Sequence, residues 1–114
     1  MSATAVTESL FCLGLNEALP ISEEATTSRV VVNNDVLRTV VFTFDTGQML
    51  TEHASTKAVV VTLLEGEMDF SIGERSERMK VGDVIYLAPG DRHALTAVTP
   101  CRMQLVMVDV DAKD

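Results

Sequence analysis

The chain has 114 residues, which suits one domain with a core large enough to need no staple. Apolar residues make up 46% and charged residues 23%, so long disorder is not expected outside the termini. The net charge is −8 and the nine Lys and Arg are scattered, which argues against a nucleic-acid surface and against binding to anionic lipid.

Residues 1–28 read differently from the rest. Met1 to Phe11 holds no basic stretch and no long apolar run, so neither a signal peptide nor a membrane span is expected, and the expected compartment is the cytoplasm. Leu10, Phe11, Leu13, Leu15 and Leu19 give no clean period, Pro20 interrupts any helix, and Ser22-Glu23-Glu24 reads as a solvated turn. This part is expected to be a lead-in segment that lies on the outside of a barrel or on a partner subunit.

Residues 29–114 are expected to form a single β domain. Val30 to Val32 and Val36 to Phe44 are rich in β-branched and aromatic residues, and Val40, Phe42 and Phe44 alternate with Val41, Thr43 and Asp45. Ala58 to Leu64 is apolar on both faces, as in a strand covered by the core on one side and by a second sheet or subunit on the other. Met68, Phe70 and Ile72 alternate with polar residues, and Val84 to Leu87, His93 to Val98 and Met103 to Val110 complete the set. Arg75, Arg78 and Lys80, interrupted by Glu74 and Glu77, read as a solvated hairpin. Turn signals such as Asn33-Asn34-Asp35, Glu65-Gly66 and Pro89-Gly90-Asp91 separate the strands, and no stretch supplies a helical crossover. An all-β fold of this kind hides its edges as a barrel or double-sheet jelly roll. Cys12 and Cys101 form no CxxC pair and are expected to be reduced, buried thiols.

Two segments carry the chemistry. The first runs Gly47-Gln-Met-Leu-Thr-Glu-His53-Ala-Ser55 and on through Val59 to Gly66. The second runs Gly82-Asp83-Val-Ile-Tyr-Leu-Ala88-Pro89-Gly90-Asp-Arg-His93 and on to Ala97. In both, the glycines and histidines stand at the spacing of the two motifs of the cupin superfamily, which the chain resembles over about residues 35–110. The resemblance implies a jelly-roll barrel, or double-stranded β-helix, with His53 and His93 facing one cavity. It also implies a metal site of two histidines and a glutamate from the first motif and one histidine from the second. His53 and His93 match, but Ser55 stands for the other histidine and Val59 for the glutamate, while Ala88 and Ala97 replace the motif-two proline and asparagine.

First-row metals want three or four imidazole, carboxylate or thiolate donors, so two imidazoles predict a site that is metal-free or holds a divalent ion such as Zn, Ni, Fe or Mn only weakly. Glu52 neighbours His53 and points to the opposite strand face, and Gln104, Asp91 or Cys101 would help only if the barrel brought them inside. Parity puts Ser55, Val59 and Val61 on the face of His53, and Leu95 and Ala97 on that of His93. Met103, Leu105 and Met107 share another inward face. The expected ligand pocket is therefore His53, Ser55, Val59, His93, Met103 and Met107. Three functions compete: binding of a small organic ligand, a metal-dependent enzyme of dioxygenase, isomerase or decarboxylase type using His53 and His93, and a structural module built around a homodimer. No nucleophile constellation and no phosphate-binding glycine loop is visible.

Overall fold

The computed structural model describes residues 4–111. The two ends of the expected domain division, residues 1–3 and 112–114, lie outside the described residues. The strands are β1 (Thr26–Asn33), β2 (Leu37–Phe44), β3 (Met49–His53), β4 (Ala58–Glu65), β5 (Met68–Ile72), β6 (Arg75–Met79), β7 (Val84–Leu87), β8 (His93–Ala97) and β9 (Cys101–Val108). They form two antiparallel sheets, ordered β1-β2-β9-β4-β7 and β3-β8-β5-β6. This is the expected all-β double-stranded β-helix. β5 and β6 make the expected charged hairpin, with Arg78 bonded to Asp69 and Arg75 to Glu77. Among the described residues no helix is long and apolar enough to cross a membrane.

Alternation along the strands decides what fills the space between the sheets. Phe44, Val61, Leu63, Met68, Leu87 and Met103 point inward and are buried, each worth about 1.5–3 kcal/mol relative to exposure. Gly66, in the turn between β4 and β5, has φ +83, and a Cβ there would collide with the carbonyl oxygen of Pro100. Only glycine fits a backbone that close to its neighbour.

The lead-in segment is more structured than its lack of period suggests. Leu15–Ala18 form one helical turn (α1), and β pairing begins already at Thr26 rather than at Arg29. The segment lies over the outer face of β2 and β9. Val41 and Thr43 face outward from β2 yet are buried, and the hydroxyls of Thr27 and Thr43 are hydrogen-bonded. Arg102 points outward from β9 but is only 4% exposed; its guanidinium donates to the Leu19 carbonyl at 2.8 Å and to Glu65 at 2.9 Å.

Candidate functional site

His53 ends β3 and His93 begins β8, and the two are paired across the ladder. Leu50 pairs with Leu95, so β3 uses three steps to reach His53 where β8 uses two to reach His93. The extra residue is a β-bulge at Thr51 and Glu52. Without it, Leu50 and His53 would lie on opposite faces; with it, both face inward beside Leu95 and His93. The imidazole centroids are 4.2 Å apart, edge to face, and the Phe70 ring stacks on His93 at 6.0 Å. His93 is buried and His53 is exposed, so the pair runs from the core edge to solvent.

Hydrogen bonds define the protons on both rings. Nδ1 of His53 lies 2.8 Å from the Thr51 carbonyl oxygen, and Nδ1 of His93 lies 3.1 Å from that of Asp91. A carbonyl only accepts, so each Nδ1 carries the proton and each neutral ring keeps its lone pair on Nε2. Burial lowers the His93 pKa from its ordinary value; donation to the Asp91 carbonyl opposes this, and a charge on His53 reinforces it. His93 is therefore held in its neutral, lone-pair-bearing form.

The other expected site residues are placed unevenly. β3 ends at His53, so alternation no longer assigns a face to Ser55. Its hydroxyl accepts the Lys57 backbone N–H at 3.0 Å, and its carbonyl accepts that of Gly90 at 2.7 Å, which ties the two motif loops together. Val59 and Met103 face inward and sit within the same buried cluster as Phe70 and Leu95. Met107 is partly exposed and borders a cleft of about 380 Å³ with Arg38, Lys57 and Asp109. A second cleft, of about 340 Å³, opens between the edges of β6 and β7 over Phe70, Ile72 and Ile85. Phe70 belongs to both this cleft and the imidazole pair. Sequence reasoning placed Phe70 in a strand but not beside His93; only the β5–β8 register, with Phe70 opposite Leu95, could find it.

The residues present do not make the family's metal cage. Among the described residues no group of three His, Cys, Asp or Glu converges. Glu52 turns away and bonds Arg92 at 2.8 Å. Asp91 contributes its carbonyl to His93 rather than a carboxylate, Gln104 faces outward beside Val41, and Cys101 lies at the far end of β9, bonded to the carbonyls of Glu67 and Thr99. Val59 stands at the glutamate position as packed hydrocarbon. Two Nε2 lone pairs fall short of the three or four donors that hold a first-row ion tightly.

Comparison with known proteins agrees with this architecture. The cupin domain family model matches residues 40–109. A conserved protein of unknown function from Streptococcus pyogenes is 32% identical over 98% of both chains, with a TM-score of 0.83. A cupin superfamily protein from Desulfitobacterium hafniense shares the fold at 17% identity, over 89% of this chain and 93% of that one, with a TM-score of 0.79. A DMSP lyase from Ruegeria pomeroyi shares it at 18% identity, over 78% of this chain and 49% of that one, with a TM-score of 0.68. No curated protein matches the chain. With both motif histidines paired inside a double-stranded β-helix, and the family model spanning most of the strands, the chain belongs to the cupin family.

Proposed function

We propose that the barrel binds a small organic ligand that brings hydrogen-bond donors to His53 and His93. The supporting observation is that both Nδ1–H groups are committed to main-chain carbonyls, leaving one Nε2 acceptor on each of two rings whose centroids are 4.2 Å apart. A hydroxyl or ammonium group suits such acceptors, and a carboxylate or carbonyl oxygen does not while both rings are neutral. Phe70, Leu50 and Leu95 offer apolar contact beside them, the usual make-up of a small-molecule site. A divalent ion competes for the same lone pairs and is held weakly.

The test is an NMR titration with small alcohols, polyols and amines against their carboxylate counterparts. Donor compounds are expected to shift the imidazole signals of the wild type and not those of His93→Ala. A stoichiometric metal in protein purified without a histidine tag overturns the reading.

The two lone pairs also support a second reading. This is a metal-dependent enzyme of dioxygenase, isomerase or decarboxylase type, in which His53 and His93 supply the protein's share of the ligands. It requires that His53→Ala and His93→Ala each abolish metal uptake and turnover together.

A further inference from the structure

The inner face of the five-stranded sheet ends in a polar rim at the same end of the barrel as the imidazoles. β2 begins, β9 ends and β4 begins there, since Leu37 and Ala58 both pair with Val108. His53 ends β3 just before the loop that leads into β4, and β8 starts at His93. The Gly90 N–H, bonded to the Ser55 carbonyl, draws the two connecting loops together. Direct cross-strand partners share a face, so the row of Val59, Met107 and Arg38 carries the inward side of Val59 across to β2. Arg38 therefore projects from the inner face of one sheet, and His53 and His93 from that of the other.

The cleft of about 380 Å³ opens at this rim, and Arg38 lines it. Lys57, Arg75, Arg78, Arg92 and Arg102 are each bonded to a carboxylate. Arg38 is exposed and, among the described residues, meets no acid; its Nε donates to Asn33 Oδ1 at 3.4 Å. The side-chain oxygens of Asn33 and Asn34 are both taken, the latter by the Val36 and Leu37 N–H groups, so these amides have donors left over. Asp109 holds Lys57 at 3.1 Å and accepts the Asp111 N–H. Asp35 also borders the cleft, exposed in the turn where water screens it. A chain of net charge −8 thus keeps one guanidinium without an acid in the wall of a cleft at the barrel mouth.

We infer that this rim is the anion end of the ligand site, and that the ligand is a small aliphatic hydroxycarboxylate. Its hydroxyl donates to the imidazole Nε2 atoms and its carboxylate is held by Arg38. The inference rests on the reading of the imidazoles as acceptors for a ligand's donor group. A guanidinium takes a carboxylate through charge-assisted hydrogen bonds, which an imidazole lone pair cannot do. The two ends of the site therefore select different groups and fix the direction in which the ligand lies. Met107, Val36 and Leu37 in the cleft wall suit the carbon chain between those groups. Facing sheets pack about 10 Å apart and side chains enter that gap from both sides, so about four to six carbons separate hydroxyl from carboxylate.

NMR titration of the full chain with ω-hydroxyhexanoate and with the α,ω-hexanediol tests this, because the two probes differ only in the carboxylate. Both are expected to shift the His93 imidazole signals of the wild type, the hydroxy acid at a dissociation constant about tenfold lower. Arg38→Gln is expected to erase that tenfold gain and leave the diol unchanged. Arg29→Gln removes the same charge from an exposed residue of β1 that does not line the cleft, and is expected to keep the gain. A hydroxy acid that binds no tighter than the diol, a gain that survives Arg38→Gln, or a gain lost equally in Arg29→Gln overturns the inference and leaves the acceptor reading of the imidazoles standing. Imidazole signals that neither probe moves overturn that reading, and the inference with it.

Discussion

At the scale of single residues, the chemistry rests on two imidazoles whose environments differ, His93 buried and His53 exposed. Burial lowers the His93 pKa, so between its folded value and the ordinary value of about 6.5 the unfolded chain takes up a proton that the folded chain refuses. Stability should therefore be complete above about pH 6.5, decline as pH falls through that window, and reach its lowest level below the folded pKa. Urea unfolding at about pH 5 and pH 7.5 measures this, and His93→Gln is expected to remove that part of the pH dependence. Gly66 is a residue-scale constraint of another kind. Gly66→Ala combines a positive φ with a collision against the Pro100 carbonyl and is expected to cost about 2–3 kcal/mol or more in the same assay. Both motif histidines were legible through the resemblance to the cupin motifs, and Gly66 also as a turn signal, where the tight backbone tolerates few residue types. The tautomers were not legible, since the Thr51 and Asp91 carbonyls that set them are main-chain atoms present at every position.

At the scale of elements, the β3 bulge keeps His53 on the inner face three steps after Leu50. Removing Thr51 restores a two-for-two register with β8 without the bulge and leaves His53 two steps from Leu50, on the inner face opposite His93. The wild type is expected to show a nuclear Overhauser contact between the two imidazoles, and the Thr51 deletion is expected to keep both that contact and the β-sheet spectrum. Simple parity from the sequence excluded Glu52 correctly, because Glu52 does face outward to Arg92. The same parity could not see that Leu50 joins His53 on the inner face, since a bulge is a two-strand property and leaves little mark on one strand. Parity also broke down beyond His53. Ser55 lies in the loop, where its oxygens hold Lys57 and Gly90 rather than continuing a strand face.

For the whole molecule, the lead-in segment behaves as a strap over the sheet, and Arg102 is its buckle. Its guanidinium is buried under the Leu19 carbonyl and bonded to a half-exposed Glu65, so the pair is only partly desolvated. Arg102→Ala is expected to destabilise the fold by about 1–3 kcal/mol and to speed proteolysis within residues 4–25 relative to the barrel. Limited proteolysis with mass analysis of the fragments measures this. The tight coupling also explains why the segment has no helical or strand period of its own. Its shape is set by the surface beneath it.

The sequence by itself determined the all-β class of fold, and its resemblance to the cupin motifs picked out His53, His93 and the loss of the carboxylate at Val59. The class follows from local alternation and turn chemistry, which are written along the chain, and the site residues from the resemblance. Only the tertiary structure decided that the imidazoles meet at 4.2 Å, that Phe70 stacks on one of them, and that Val59 and Met103 lie in the core. Those facts depend on register between strands as much as 40 residues apart in the chain, as His53 and His93 are. A one-residue slip or bulge there exchanges inside for outside, and no periodicity within a single strand encodes it.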